Sequence, residues 1–308
     1  MIYVLKLIFS SSLIFFIFYN IDKTKFIELI STVDKQFFII AAISFFVATI
    51  FQILKLYNLL KKFYSPLIIA KVTLMGLFFN SFLPSNVGGV FYMIYLLKNE
   101  KLKVTKVFSL IFLDIVVGLS ILLTSFLFYI ILNQEFIKYI KIKKIDFNEN
   151  YLLILFLSIF FSTSLFFLNK NKINIKYYLG KSKNVFQNVI NNITSIKFSI
   201  FVIQIFLSLF FHLFKMLVLY FLIMSLNGNL LIWHNLIFVY SITTLGAALP
   251  LSIGGLGIRE GILSVMLILL GLDNNIAVSV ALLNLMFLWL IAFTGGMLFL
   301  FSKKIYQR

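Results

Sequence analysis

From residue 235 to residue 272 the chain is almost continuously apolar, except for one interruption: Leu249-Pro250-Leu251-Ser252-Ile253-Gly254-Gly255-Leu256-Gly257-Ile258-Arg259-Glu260-Gly261. No other feature limits the fold so strongly. Proline removes a backbone donor and glycine lowers helix propensity, so a regular helix does not pass through. The stretch holds one of the three prolines, four of the 14 glycines, and Arg259; the other arginine is Arg308. An earlier stretch, Leu83-Pro84-Ser85-Asn86-Val87-Gly88-Gly89, repeats the pattern L-P-x-x-x-G-G. Irregular backbone at membrane depth survives only where protein or a watery cavity shelters it. The two breaks therefore predict a pair of broken helical hairpins that shield one another.

Composition places these breaks in a membrane. The 308 residues are 62% hydrophobic and 12% charged, with mean hydropathy +1.06. Soluble domains run at about 45–50% apolar and about 25% charged. The net charge of +17 does not indicate nucleic acid, because the lysines sit in short blocks between apolar runs, as in cytoplasmic loops. No cysteine is present, so disulfide and thiolate chemistry are excluded. His212 and His234 share no metal spacing, and neither a metal nor a cofactor is indicated.

The pattern predicts spans over 3–19, 37–60, 107–132, 150–168, 199–226 and 276–301, with hairpins over 67–97 and 235–272. The first span lacks a cleavage site and is expected to be retained. A short interfacial helix is predicted within 20–36, where Phe26, Ile27, Leu29, Ile30 and Val33 mix with charges. In the basic loop 169–198, Val185, Phe186, Val189, Ile190 and Ile193 predict a helix lying on the membrane.

Lysine placement puts 61–66, 98–106, 169–198 and 302–308 in the cytoplasm, and 227–234 and the turn at Asp273 outside. The loop 133–149 carries four lysines yet falls outside in this scheme. Both termini are then cytoplasmic, in the cytoplasmic (inner) membrane. The hairpins open to opposite sides, and residues 1–132 and 150–301 read as inverted repeats. Phe51-Gln52-Ile53-Leu54-Lys55 and Phe211-His212-Leu213-Phe214-Lys215 precede the two hairpins at similar distances. The expected fold is all-α: one polytopic transmembrane domain over 1–308, with two inverted repeats, each holding a broken or re-entrant hairpin. That is a transporter pattern, with substrate handled near the midplane.

Several residues carry candidate chemistry. Gly254, Gly255 and Gly257 precede an apolar arm starting near Ile258, and a half-helix N-terminus with free N–H groups suits phosphate. Arg259 adds a planar, bidentate donor. The alternative is that the glycines only permit a tight tip and Arg259 pairs with Glu260. Asp114 and Lys215 lie inside predicted spans, where facing lipid costs about 2.5–3.5 kcal/mol each, so both face inward. Together with His212, one turn away, Lys215 forms an anion-binding or proton-linked centre, or else a structural Lys215–Asp114 pair. Lys55 and Lys71 lie near span ends and are expected to snorkel. No catalytic arrangement is visible.

At this point the chain resembles the lysylphosphatidylglycerol synthase transmembrane-domain family, the flippase-like membrane proteins. Leu249-Pro250-x-Ser252-x-Gly254-Gly255-Leu256-Gly257-x-Arg259-Glu260-Gly261 is similar to its late motif. The run Asn80-Ser81-Phe82-Leu83-Pro84-Ser85-Asn86-Val87-Gly88-Gly89 is similar to its early motif, and Asp114-Ile115-Val116-Val117-Gly118 to its D-R-x-x-G. Three charges of that pattern are replaced here by Val90, Met93 and Ile115. The resemblance implies movement of a lipid or lipid-linked headgroup across the bilayer. It implies no synthase activity, because the chain stops seven residues after its last predicted span. Its motif positions, with the inward charges, give the expected substrate-contacting set: Asn80, Pro84, Asn86, Gly88, Gly89, Asp114, Lys215, Pro250, Ser252, Gly254, Gly255, Gly257, Arg259 and Glu260. The expected partners are membrane lipids with an anionic or phosphate-bearing headgroup, and membrane enzymes. Two alternatives stand: a scaffold for envelope-lipid or glycolipid synthesis, and a membrane-embedded lipid transferase using Glu260 as base.

Overall fold

Helix α1, Lys35–Leu60, starts where Asp34 caps it: the Asp34 carboxylate accepts the N–H groups of Gln36 (2.8 Å) and Phe37 (3.4 Å). The same residue ties the helix to the end of a distant one, its N–H donating to the Ser225 carbonyl at 2.8 Å. The computed structural model describes residues 28–29, 31–82, 88–98, 102–132, 183–226, 233–248 and 252–301. The spans expected at 3–19 and 150–168, the loop 133–149, both termini, and Pro84, Asn86 and Pro250 lie outside the described residues.

Among the described residues the secondary structure is helical, with nine helices. After α1 come α2 (Pro66–Phe82), α3 (Gly88–Leu97), α4 (Val104–Leu132), α5 (Lys183–Thr194), α6 (Phe198–Ser225), α7 (Trp233–Ala248), α8 (Ile258–Leu269) and α9 (Asn274–Phe301). Four of these, α1, α4, α6 and α9, are long and apolar enough to cross a bilayer. Helices α7 and α8 are separated by a non-helical stretch that includes 252–257, while α2 and α3 flank residues 83–87, which lie outside the described residues. At 1.5 Å per residue, α3 is only about 15 Å long and α8 about 18 Å, short of the ~30 Å hydrocarbon core.

Packing is organised around α1 and α6, which lie against one another along their length. The two pentapeptides noted above meet there. Phe51 stacks on Phe210 (5.3 Å) and Phe214 (5.6 Å). Lys55 of α1 lies over the Phe211 ring of α6 at 4.9 Å, while Lys215 of α6 lies over the Phe45 ring of α1 at 3.7 Å. Away from this seam, Ile39, Ile43, Phe46 and Ile50 of α1 form an exposed apolar stripe, the face a lipid-embedded helix presents.

The other helices pair reciprocally. Helix α2 packs on α3 and α9, while α7 packs on α8 and α4. The α2–α9 contact depends on Gly295 and Gly296: a Cβ on Gly295 would lie 2.0 Å from the Leu74 carbonyl oxygen, and one on Gly296 2.7 Å from the Phe78 ring. Small residues here let the backbones touch, as membrane helices require. On the α4–α7 side the contact is polar and aromatic. Ser125 and Ser241 share a hydrogen bond at 2.9 Å, and Tyr129 stacks on Phe238 at 4.4 Å.

The helix expected on the membrane surface at 169–198 exists as α5, but its apolar face does not lie on lipid. Val189 and Ile193 are buried in a core cluster with Val107, Leu110 and Ile111 of α4, and Asn192 donates to Ser109 Oγ at 3.3 Å. Leu29 and Val33, expected in an interfacial helix, likewise pack against the core.

Candidate functional site

The second break turns on three glycines with positive φ: Gly254 (58°), Gly255 (77°) and Gly257 (80°). An L side chain is disfavoured in that region, so glycine there is a backbone requirement. Gly254 also abuts the end of the first hairpin, since its Cβ would fall 2.7 Å from the Asn80 carbonyl oxygen and 3.2 Å from Ser81 Cα. On the other side, the Asn80 side-chain oxygen accepts the Gly89 N–H at 2.7 Å. A Cβ on Gly89 would stand 2.1 Å from the Gly76 carbonyl oxygen, so α2 and α3 close tightly. Asn80 thus caps the start of α3 from across the hairpin, while its backbone supports the second break.

Glu260 organises the start of α8. It is 1% exposed, and its Oε2 accepts the Gly257 N–H at 2.7 Å. This occupies part of the helix N-terminus with the chain's own carboxylate. The free N-terminal anion site expected there is therefore partly filled from within. Arg259 is held by the same turn, with Nη2 donating to the Gly254 carbonyl at 2.6 Å and Nε 3.9 Å from Glu260 Oε1. One edge of its guanidinium braces the break, and the group also faces a cavity.

That cavity measures about 310 Å³. Thr49 and Gln52 (α1), Asn80 and Ser81 (α2), Lys215 (α6), Tyr240, Thr243 and Thr244 (α7), Arg259 (α8) and Asn284 (α9) give it polar lining, with Phe45, Leu77 and Leu288 among its apolar walls. Arg259 and Lys215 are its cations, and among the described residues its lining includes no carboxylate. Glu260, 3.9 Å from Arg259 Nε, is not part of that lining. The site is concave, mainly apolar and furnished with a few convergent polar groups, which is how small-ligand and headgroup sites are built.

The residues expected to contact substrate divide accordingly. Asn80, Lys215, Gly254 and Arg259 line the cavity together. Gly255, Gly257 and Glu260 shape the break behind it, and Gly88 and Gly89 begin α3. Ser252 is 1% exposed, and among the described residues its hydroxyl has no hydrogen-bond partner. Asp114 is not in the cavity.

Asp114 instead corrects two expectations. Its carboxylate pairs with Lys55 at 3.0 Å and accepts from Gln204 Nε2 at 2.6 Å. Lys55 does not snorkel; its side chain is 6% exposed. Nor does Lys215 pair with Asp114, since it lies over Phe45 at the cavity wall. The network continues from Gln204 to Asn58 (3.1 Å) and Lys61 (3.3 Å), joining α1, α4 and α6. A lysine about one and a half turns from a helix end reads as a snorkeler only while its neighbours are unknown. Asn58 and Gln204 are polar residues inside apolar spans, and that was the available signal. Of the positions where family charges are replaced, Met93 packs on Gly76 and Ile115 is 38% exposed on the outer surface. Among the described residues no cluster of metal-ligating side chains occurs.

No curated protein matches the chain. The sequence model of the lysylphosphatidylglycerol synthase TM region matches residues 3–296, nearly the whole length. The helical hairpins with their glycine-rich breaks therefore sit in a membrane protein that belongs to the lysylphosphatidylglycerol synthase TM-region family.

Proposed function

We propose that this protein binds the anionic headgroup of a membrane lipid, or of a lipid-linked carrier, in the cavity between its two broken hairpins and passes it across the cytoplasmic membrane. The observation that carries this reading is the pair of cations, Arg259 and Lys215, on a cavity wall that shows no carboxylate among the described residues. Phosphate suits a partly engaged guanidinium with an ammonium lining the same cavity. The apolar walls and the lipid-facing stripes leave room for acyl chains outside the polar centre.

The same reading takes the two halves as inverted repeats, with re-entrant hairpins opening to opposite sides and both termini cytoplasmic. Its support is the reciprocal packing: Lys55 on Phe211 against Lys215 on Phe45, and α2 on α9 against α7 on α4. A scaffold role in lipid synthesis is favoured by one observation, the apolar residues Met93 and Ile115 where relatives carry charge.

Proteoliposomes carrying fluorescent phosphatidylglycerol separate the two. Transbilayer movement that falls in Arg259→Ala and in Lys215→Met, with both variants monodisperse, is the expected result. Movement absent from the parent protein, or unchanged in both variants, leaves the scaffold reading in its place.

A further inference from the structure

His212 stands between the cavity and the Lys55–Asp114 pair, and neither uses it. It is 9% exposed. Its Nδ1 is hydrogen-bonded to the hydroxyl of Tyr240, a cavity-lining residue, at 2.8 Å. Its Nε2 points at the Gly118 backbone without a well-formed hydrogen bond. The place a Cβ on Gly118 would take is 3.5 Å from that nitrogen, 3.8 Å from Ser208 Oγ and 3.9 Å from Lys55 Nζ. A glycine at 118 therefore leaves one small gap shared by an imidazole nitrogen, a hydroxyl and an ammonium.

The charged surroundings of this histidine are one-sided. Helix α1 brings Lys55, α4 brings Asp114, and α7 brings Tyr240. On α6 itself Lys215 lies one turn on, and beyond it Arg259 of α8 faces the same cavity. Helix α9, which also packs on α6, contains no titratable side chain. Among the described residues, Lys55 and Lys215 are the cations beside His212, and the Asp114 carboxylate is already bound to Lys55. The imidazole thus lies between the Lys55 ammonium and the Lys215 ammonium. An anion held between Lys215 and Arg259 offsets part of that positive charge.

Resting on the anion-site reading, we propose that His212 is a proton site coupled to the cavity, so that anion entry and uptake of one proton favour each other. Neutral imidazole takes up one proton and becomes imidazolium; no other bond changes. By linkage the effect is reciprocal, so protonation raises anion affinity by the same factor that the anion raises proton affinity. A headgroup then moves together with a proton, and a pH gradient sets the direction of movement.

The probe is dioctanoyl phosphatidylglycerol, whose phosphodiester keeps one charge around neutral pH. Calorimetric titration of the purified full chain, in buffers of differing ionisation enthalpy, reads the protons taken up per lipid bound. Wild type is expected to take up protons on binding, with affinity rising as pH falls by up to about tenfold per pH unit, the limit for one linked proton. His212→Gln and His212→Asn are expected to bind with no proton uptake and a flat pH dependence. Wild-type binding independent of buffer and pH overturns the coupling, and that measurement needs no variant to fold. Unaltered uptake in the His212 variants overturns it as well. So does uptake that survives those variants but disappears in Asp114→Asn, which moves the proton to the ion pair. Binding without proton linkage removes the coupling alone, whereas no binding at any pH removes the anion site and the coupling with it.

Discussion

Removing one partner of the Lys55–Asp114 pair is expected to cost far more than removing both. The two groups are 3.0 Å apart, with side chains 6% and 20% exposed. Breaking a buried pair from one side costs about 3–5 kcal/mol, because the remaining charge keeps its desolvation penalty and loses its partner. Asp114→Leu strands Lys55, the more buried of the two, and also frees the Gln204 amide that donated to the carboxylate at 2.6 Å. We expect about 3 kcal/mol, or roughly two decades in the folded-to-unfolded ratio. Lys55→Met leaves Asp114 with Gln204 and partial exposure, so the cost is smaller, about 2 kcal/mol. Replacing both with apolar residues is often neutral, so the double variant should fall well below the sum of the singles. The coupling, about 2–4 kcal/mol, is read from a double-mutant cycle on denaturant unfolding in micelles. Singles that add to the double within about 0.5 kcal/mol would show that the pair contributes nothing to stability and would refute the argument.

Gly295→Val is expected to loosen α2 from α9 and lower the thermal midpoint sharply, since its first side-chain carbon meets the Leu74 carbonyl at 2.0 Å; an unchanged midpoint by differential scanning fluorimetry contradicts that packing. Arg259→Lys keeps the charge but loses the planar fork and the brace to Gly254. It should lower lipid movement in proteoliposomes by more than tenfold while shifting the unfolding midpoint little, and the reverse order would make Arg259 purely structural. Gly255→Ala places a side chain at φ 77°, costing about 1–2 kcal/mol, and its Cβ comes 3.1 Å from Arg259 Nη2. Binding of the short-chain lipid is the measurement, and loss of affinity is the expected result. For topology, the cysteine-free chain allows single-cysteine labelling, and Asn229→Cys is expected to react with an impermeant maleimide from outside. Reaction only from the cytoplasm would end the inverted-repeat proposal.

Much of the fold was legible because the membrane imposes two simple rules. Spans must be apolar, and backbone must be hydrogen-bonded or sheltered. Lysine blocks and hydropathy therefore located α1, α4, α6 and α9 to within a few residues, and Pro84, Pro250 and the glycines located both breaks. Lys55 shows where such reading stops. Its position near the end of an apolar run suggested a snorkelling side chain, whereas Lys55 is buried in a pair with Asp114. Gly295 and Gly296 carried no sequence signal beyond their size, because what they touch, Leu74 and Phe78, lies more than two hundred residues away.

By itself, the sequence determined that this is a helical membrane protein, where its helices break, and that Arg259 must be sheltered, because each of these follows from the local cost of putting a given residue in hydrocarbon. Tertiary structure alone decided which charges meet. Asp114 took Lys55 rather than Lys215, Glu260 turned back onto the start of its own helix, and Lys215 and Arg259 were left facing one cavity. Hydropathy ranks how far a side chain must go from lipid, but partner choice depends on distances between helices remote in sequence, and those are set by the glycine contacts and aromatic seams that pack one helix on another.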